Sequence, residues 1–210
     1  MVKAAKLLIF RLLQRIHSMY SSLEMEYFID ELRKRQNISV GKGVYFTEVP
    51  FINLHPASKI TIGERVFINS DPSMLHLAAY SKVHLLANKP GATIEIGEDT
   101  RFHASCIRAY QSVKIGARCL IASNCQIMDA SGHGLSFDDV TKRIKHDTPF
   151  EIEPVVIEDD VWLCEGVTVL PGVTIGRGTI VGARSVVVRS LPAMCIAVGN
   201  PAKVVRSFSK

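Results

Sequence analysis

The sequence predicts a mainly β protein: a parallel β-helix that follows a helical segment and is interrupted by one long loop. The first observation is an aliphatic residue at every sixth position between Ile157 and Val187. A helix repeats its apolar residues near every 3.6 positions and a half-buried strand near every second, so neither explains this period. Hexapeptide repeats are typical of a parallel β-helix, in which short strands are joined by tight corners. The aliphatic phase consists of Ile157, Leu163, Val169, Ile175, Val181 and Val187.

Glycine and small residues occupy the other inward or corner phases of the repeat. Strand alternation places the residue before each aliphatic outward and the residue two before it inward. The inward small or β-branched positions are Val161, Val167, Val173, Thr179, Ser185 and Leu191. Glycine falls in two further phases, with Gly166, Gly172 and Gly178 in one and Gly176 and Gly182 in the other. We expect both sets at corners where the backbone needs a positive φ.

Residues 1–37 are predicted to form an amphipathic helical segment. The apolar residues at helical spacing are Leu8, Ile9, Leu12, Leu13, Ile16, Met19, Tyr20, Leu23, Tyr27 and Phe28. The charged residues before Tyr20 are all basic, which leaves two interpretations open. The helix packs on the β-helix or on a neighbouring subunit, or it lies on an anionic membrane surface. A secretory signal fits poorly because Arg11 and Gln14 interrupt the apolar stretch.

Residues 38–206 are predicted to form the β-helix. The aliphatic phase returns at Val40, Ile62, Ile68, Ile96, Phe102, Ile115, Ile121 and Ile127. Three hexads make one triangular turn, so the chain supports roughly six turns, with a small excursion near residues 86–92. The repeat predicts Cys106, Cys119 and Cys125 in the inward phase, where we expect small core residues and not a disulfide framework. Unpaired cysteines indicate a reducing cytosol, so we expect a cytoplasmic protein, peripheral to the inner face of the membrane if the N-terminal helix binds lipid.

The long loop covers about residues 130–154 and begins at the sequence Asp129-Ala130-Ser131-Gly132-His133-Gly134. The repeat resumes in phase after it, because Ile127 and Ile157 are separated by a multiple of six residues. The loop is therefore an insertion on an intact scaffold. Long loops on rigid repeat scaffolds are frequent carriers of function.

Charge and composition exclude several classes of function. The chain has 25 basic and 20 acidic residues, a net charge of +5 that suits an anionic ligand or a lipid surface. No nucleic-acid-binding motif accompanies this charge, so no nucleic acid partner is expected. No uninterrupted apolar run reaches about 18 residues, so no membrane-spanning helix is expected.

Four segments carry a family resemblance. They are Val161-Trp162-Leu163, Leu170-Pro171-Gly172-Val173-Thr174-Ile175-Gly176, Val181-Gly182-Ala183-Arg184-Ser185-Val186-Val187, and Val198-Gly199-Asn200-Pro201-Ala202-Lys203-Val204-Val205-Arg206. With them the chain resembles the hexapeptide-repeat acyltransferases, strongly over 115–206 and by repeat phase over 40–114. The sugar, capsular and lipopolysaccharide O-acetyltransferases, including those of maltose and galactosides, are the relatives that it resembles. The resemblance implies a left-handed coil, although β crossovers are ordinarily right-handed. It also implies homotrimers with active sites in the clefts between subunits.

The resemblance also implies an active site. His133 matches the general base of the family, and a histidine near its ordinary pKa can take the proton of a hydroxyl and return it to a thiolate. Asn124 occupies the place of the acceptor-binding asparagine, although asparagine also simply tolerates a corner. Asp129 either orients His133 or is a solvated turn residue. Trp162 is expected outward, against the acceptor or a neighbouring subunit.

The donor implied by the resemblance is acetyl-CoA. Gly166, Gly182 and Ala183 match the stretch along its pantetheine arm, where small side chains leave room. Lys203 and Arg206 match basic positions near its phosphates, although they could equally be solvated charges. Cys164-Glu165 departs from the family pattern, and Glu165 brings negative charge near the cleft.

We therefore expect an acetyl-CoA-dependent O-acetyltransferase that acts on a sugar hydroxyl of a capsular or lipopolysaccharide unit. One alternative is an N-acetyltransferase of a nucleotide-linked amino sugar, and another is a non-catalytic β-solenoid for binding or assembly. No metal is expected, because the γ-carbonic anhydrases that share this coil bind zinc through histidines five residues apart. Here Asp138 stands five residues after His133.

Overall fold

The computed structural model describes residues 22–72, 78–134, 136–144 and 150–208. In these residues the chain winds as a parallel β-helix with three faces. The first face contains β1 (Ile38–Val40), β4 (Lys59–Ile62), β7 (Thr93–Ile96), β10 (Ser112–Ile115), β13 (Val155–Ile157) and β16 (Thr174–Ile175). The second contains β2 (Tyr45–Phe46), β5 (Phe67–Asn69), β8 (Arg101–His103), β11 (Leu120–Ile121), β14 (Trp162–Leu163), β17 (Ile180–Val181), β19 (Cys195–Gly199) and β20 (Ala202–Ser207). The third contains β3 (Phe51–Leu54), β6 (His84–Ala87), β9 (Cys106–Arg108), β12 (Gln126–Met128), β15 (Thr168–Val169) and β18 (Val186–Val187).

The core consists of aliphatic stacks that run along the axis of the coil. On the first face Ile62, Ile96 and Ile115 are register partners in successive coils, and the stack continues through Ile157 and Ile175. Each of these side chains is at most 2% exposed. Burying an isoleucine contributes about 1.5–3 kcal/mol, so the stacks are the main source of cohesion between coils. The first and third faces each have six strands in the described residues, which confirms the predicted number of turns. The left-handed parallel β-helix predicted from the sequence is the fold of this chain.

The cysteines are free, as the sequence predicted, but Cys106 is not where the repeat placed it. It lies at an outward position of β9, paired with His84 and Gln126, because Phe102 and Ile107 are separated by five residues and not six. Cys119 and Cys125 do lie inside, and burial raises the pKa of their thiols to about 11 and about 12. These two thiols therefore stay protonated and act as small core residues.

Two different physical reasons explain the two glycine phases. Gly166, Gly172 and Gly178 have φ values of 70°, 75° and 68°, which confirms that these corners need a left-handed backbone. The expectation was wrong for Gly176 and Gly182, which do not have positive φ. A Cβ on Gly176 would lie 2.3 Å from the nitrogen of Ala193, so this phase is glycine because the next coil approaches closely.

An α-helix, α1, is described over residues 22–34 and packs on the first coil. Met25 and Leu32 are buried, and the ring of Phe28 lies edge-on to Phe46 of β2 at 5.5 Å between centroids. Leu23 and Tyr27, which the helical spacing placed on the apolar face, are 56% and 67% exposed. The part of the predicted helical segment before residue 22 lies outside the described residues. In the described part of the chain no helix is long and apolar enough to cross a membrane.

Two excursions leave the coil at its corners. The predicted insertion follows β12, contains a 3-10 helix at Val140–Ile144, and is closed at its base by an antiparallel bridge between Ala130 and Ile152. The backbone of Glu153 also donates to the carbonyl of Asp129 at 2.9 Å. A second excursion, between Asn69 and Val83, has no glycine and few charges, so the composition of the sequence does not indicate it.

Candidate active site

A cavity of about 650 Å³ opens where the third face turns toward the first, at the base of the insertion. We call it the His133 cavity. Its lining residues are Ser131, His133, Phe150, Glu151, Glu153, Leu170, Pro171 and Val188. It combines an exposed imidazole, an aromatic ring, two carboxylates and an apolar floor.

The scaffold and the insertion each supply one side of the His133 cavity. Leu170 follows Val169, the buried last residue of β15, and Val188 follows Val187, the buried last residue of β18. Since Val169 and Val187 are register partners, Leu170 and Val188 lie next to each other in successive coils. The bridged base of the insertion brings its two ends together, which places His133 on one side and Glu151 on the other. The Ser131 hydroxyl donates to the carbonyl of His133 at 2.8 Å and holds the turn that carries the imidazole.

These side chains can deprotonate and bind a polar acceptor. A neutral imidazole can accept the proton of an attacking hydroxyl. Carboxylates such as Glu151 and Glu153 accept hydrogen bonds from hydroxyl or amino groups, and the Phe150 ring offers an apolar surface. In the described residues neither carboxylate has a cation within ion-pair distance.

Asp129 is a structural residue of the corner and not a solvated turn residue. It is 0% exposed, and its carboxylate accepts backbone N–H groups of Tyr110, Gln111 and Ser112 at 2.7–3.0 Å. Both oxygens are thus used by the neighbouring coil. The carboxylate stabilises the corner on which the His133 loop begins, and we do not assign it contact with an acceptor.

Asn124 is at a different corner, where the second face turns into the third. Its φ of 63° confirms a left-handed corner residue. Its side-chain oxygen accepts the N–H of Tyr80 at 3.0 Å, and its amide nitrogen donates to Glu165 at 2.9 Å and to the carbonyl of Ala78 at 2.8 Å. Asn124 therefore fastens the end of the 70–82 excursion to the coil.

Glu165, the departure noted in the sequence, joins the same network. Its second oxygen accepts from Arg184 Nε at 2.8 Å, and Arg184 donates to the Tyr80 hydroxyl at 3.2 Å. The Glu165 side chain is only 12% exposed. The negative charge that the sequence placed near the cleft is thus paired within the chain.

The predicted donor residues occupy the last coils, where neighbouring side chains lie close to the two glycines. A Cβ on Gly166 would lie 2.8 Å from the Arg184 side chain, and one on Gly182 would lie 2.6 Å from Val198. Both positions therefore need glycine because neighbouring side chains approach closely, and contact of these residues with a donor stays a prediction. Ala183 is exposed at the same corner.

Lys203 and Arg206 lie on β20, which pairs antiparallel with β19 at the end of the second face. Both side chains are exposed, and the Arg206 guanidinium lies over the Phe208 ring at 4.8 Å. Trp162 is 42% exposed on the same face, between Leu120 and Ile180 of the neighbouring coils, which confirms its outward phase.

One copy of the chain does not gather all the predicted residues. His133 is at the edge of the third face that meets the first face, whereas Asn124, Gly166 and Gly182 are at its opposite edge. Apart from His133, the sequence did not predict the lining residues of the cavity, among them Phe150 and Glu151. The repeat phase alone could have placed Leu170 and Val188 below His133, but the insertion has no repeat that could place Phe150 and Glu151. Among the described side chains, no three of the metal-binding types come together.

Comparisons with known proteins agree with the fold. The family described as "Bacterial transferase hexapeptide (six repeats)" matches residues 154–189. The probable acetyltransferase Rv3034c of Mycobacterium tuberculosis is 32% identical over 173 residues, which cover 82% of this chain and 51% of that protein. The putative lipopolysaccharide biosynthesis O-acetyl transferase WbbJ of Escherichia coli is 42% identical over 108 residues, 49% of this chain and 54% of the relative. The chain thus carries the hexapeptide repeat of this transferase family, and these relatives are acetyltransferases by name.

A solved structure of the same family extends the likeness over most of the coil. The hexapeptide-repeat-containing acetyltransferase VCA0836 of Vibrio cholerae, in complex with acetyl coenzyme A, has a TM-score of 0.53 and 26% identity to this chain. The match covers 85% of this chain and 75% of the Vibrio protein. The chain spans about half the length of the relatives Rv3034c and WbbJ, at 51% and 54%.

Proposed function

We propose that this hexapeptide-repeat acyltransferase moves an acetyl group from acetyl-CoA to a sugar hydroxyl, with His133 as general base. The observation that carries the proposal is the position of His133 beside Phe150, Glu151 and Glu153 in one open cavity on a hexapeptide coil. The acetyl-CoA complex of the Vibrio relative supports the donor. The similarity to WbbJ, a putative lipopolysaccharide biosynthesis O-acetyl transferase, supports a lipopolysaccharide or related capsular unit as the acceptor.

In the proposed mechanism the imidazole of His133 removes the proton from the acceptor hydroxyl while the hydroxyl oxygen attacks the thioester carbonyl of acetyl-CoA. The tetrahedral intermediate then collapses, the C–S bond breaks, and the thiolate of coenzyme A takes the proton from the imidazolium. The products are an O-acetyl sugar and free coenzyme A. A general base of this kind contributes about 10²–10⁴-fold to the rate.

We also propose that the working form is a homotrimer. The predicted donor positions Gly166, Gly182 and Ala183 and the catalytic His133 lie at opposite edges of the third face, so two neighbouring copies can bring them to one cleft. Lys203 and Arg206 would then face the phosphates of acetyl-CoA, where charge-assisted hydrogen bonds are strong.

A second function has one specific observation in its favour. Glu151 and Glu153 lack a cationic partner in the described residues, and two carboxylates beside a general base would also suit the ammonium group of an amino sugar. The reaction would then be N-acetylation, with the same proton acceptor.

An acceptor screen separates these functions. Full-length protein is incubated with acetyl-CoA and a panel of neutral sugars, amino sugars and oligosaccharides, and thiol release is followed together with the mass gain of the acceptor. We expect thiol release that depends on a hydroxyl acceptor, and an acetyl group that alkaline hydrolysis removes. An alkali-stable acetyl group on amino sugars would support N-acetylation. No turnover together with no acetyl-CoA binding would support the non-catalytic solenoid.

A further inference from the structure

Arg108 lies under the loop that carries His133. It is the last residue of β9 and the register partner of Met128 on β12, so its side chain extends along the third face toward the insertion. One guanidinium nitrogen donates to the carbonyl of Ala130 at 2.5 Å. The other terminal nitrogen is 3.6 Å from the point where a Cβ on Gly132 would lie. The guanidinium thus bonds the backbone of Ala130 and lies beside Gly132, the two residues that flank Ser131.

The position of Arg108 is set by the loop and an aromatic ring, and not by a counter-ion. Its guanidinium carbon lies 5.3 Å from the centre of the Tyr110 ring, within the range of a cation–π contact. In the part of the chain that the structure describes, no carboxylate is within ion-pair distance of Arg108, and its buried Nε has no hydrogen-bond partner. A half-buried arginine whose main partner is a backbone carbonyl is suited to fixing that backbone.

Tyr110 links this contact to the far side of the His133 cavity. Its ring packs on Phe150, a cavity residue, with 5.7 Å between centroids. Its backbone N–H is held by the buried carboxylate of Asp129. Arg108 therefore lies between the backbone before His133 and a ring that packs on the opposite wall of the cavity.

We infer that Arg108 is a positioning residue that holds the Ala130–His133 turn in the geometry in which the imidazole reaches the acceptor hydroxyl. The inference rests on the proposed function of His133. A displacement of about 1 Å at a reacting group can cost about 100-fold in rate, so loss of this contact should act mainly on the chemical step. Binding of acetyl-CoA should change little, because Arg108 is outside the predicted donor corner.

The test compares Arg108→Met, Arg108→Lys and Arg33→Met in the full chain. Arg33 is the matched control, since it also donates to a backbone carbonyl, that of Gly41 at 3.4 Å, but lies on α1 and outside the His133 cavity. We expect Arg108→Met to lower kcat about 10- to 100-fold with the KM for acetyl-CoA within about twofold. Lysine keeps the charge and one hydrogen bond but not the planar fork, so Arg108→Lys should recover part of the loss. Arg33→Met should keep the wild-type kcat.

A double variant distinguishes positioning from a merely structural role. In a His133→Ala background, Arg108→Met should change the residual turnover less than about twofold, because the group that it positions is gone. An equal fold-loss in both backgrounds, or wild-type kcat in Arg108→Met, would overturn the inference. If Arg108→Met does not fold, the same comparison is made with Arg108→Lys. Wild-type turnover in His133→Ala alone would instead overturn the proposed function.

Discussion

At the scale of single residues, the site depends on side chains whose partners are distant in sequence. Asp129 looked from the sequence like a turn residue or a partner of His133, yet it caps the backbone of residues 110–112 in the preceding coil. Asn124 was correctly expected at a corner, but its contacts with residues 78 and 80 were not predictable. The phase of the repeat predicts where a residue lies within a coil. It does not predict which residues of another segment pack against it, such as residues 78 and 80 beside Asn124.

Replacing Asp129 with asparagine should destabilise the corner. In the wild type the backbone N–H donors share the two carboxylate oxygens of Asp129. An asparagine would replace one of these oxygens with an NH₂ group, which cannot accept. Each buried hydrogen bond that is lost costs about 1–3 kcal/mol. We expect Asp129→Asn to lower the free energy of unfolding by about 2–4 kcal/mol in urea titrations. The exposed Asp138→Asn serves as the control and should stay within about 0.5 kcal/mol of wild type. Equal stability of the two variants would contradict the capping role.

At the scale of elements, the period of six predicted the stacked strands, the inward residues and the place of the insertion. It failed where the period itself changes. The five-residue step between Phe102 and Ile107 moved Cys106 outward, and the excursion after Asn69 interrupts a coil without a compositional signal. The repeat predicts how successive coils stack, but it does not predict the number of residues in the loops that connect the strands.

Oppositely charged residues alternate along the corner between the first and second faces. Arg65, Asp99, Arg118 and Asp160 all adopt positive φ, at 55°, 58°, 55° and 62°. Arg65 pairs with Asp99 at 2.7 Å, and Arg118 pairs with Asp160 at 2.6 Å. These ion pairs connect successive coils at positions where a non-glycine residue bears left-handed strain.

The ion pair of Arg118 should contribute stability that depends on pH. The hydrogen bond from Arg118 lowers the pKa of Asp160 below its ordinary value, with Arg177 adding to the effect. The pKa of an aspartate in the unfolded chain is about 4, and a carboxylate whose pKa is lower in the folded protein stabilises the fold at pH values above this. The stabilisation is lost as the pH falls through the lowered pKa of the folded state. Arg118→Gln should therefore lower the Tm more at pH 7 than at pH 3.

Thermal unfolding by circular dichroism checks this, with Lys114→Gln as the control. Lys114 is an exposed cation on the first face with no ion pair in the described residues. The decrease in Tm caused by Arg118→Gln should also be smaller in about 1 M salt, because salt screens exposed ion pairs. A Tm difference that is the same at both pH values would show that the pair contributes nothing through its charge.

At the scale of the whole molecule, one copy of the coil presents only part of the predicted site. The predicted base His133 and the predicted donor residues lie at two different corners of the coil, and their roles stay predictions. The sequence did not predict the carboxylates and the aromatic ring of the cavity, because the insertion that carries them has no periodicity.

The second face has an apolar outer surface that fits assembly. Tyr45 and Trp162 are 55% and 42% exposed there, next to outward Phe67, Leu120 and Ile180. Three copies of the 23.2 kDa chain would give a particle of about 70 kDa in sedimentation equilibrium. Trp162→Glu should shift this mass toward the monomer, whereas Thr61→Glu on the first face should not. A monomeric wild-type protein at micromolar concentration would contradict the trimer.

The most direct test of the account is the turnover of His133→Ala with acetyl-CoA and an acceptor found in the screen. His84→Ala is the matched control, because His84 lies on the third face but packs against the Phe51 ring, and it does not line the His133 cavity. We predict that His133→Ala lowers kcat at least about 100-fold while acetyl-CoA still binds with wild-type affinity, and that His84→Ala retains wild-type turnover. Near-wild-type kcat in His133→Ala would contradict the assignment of this imidazole as the base.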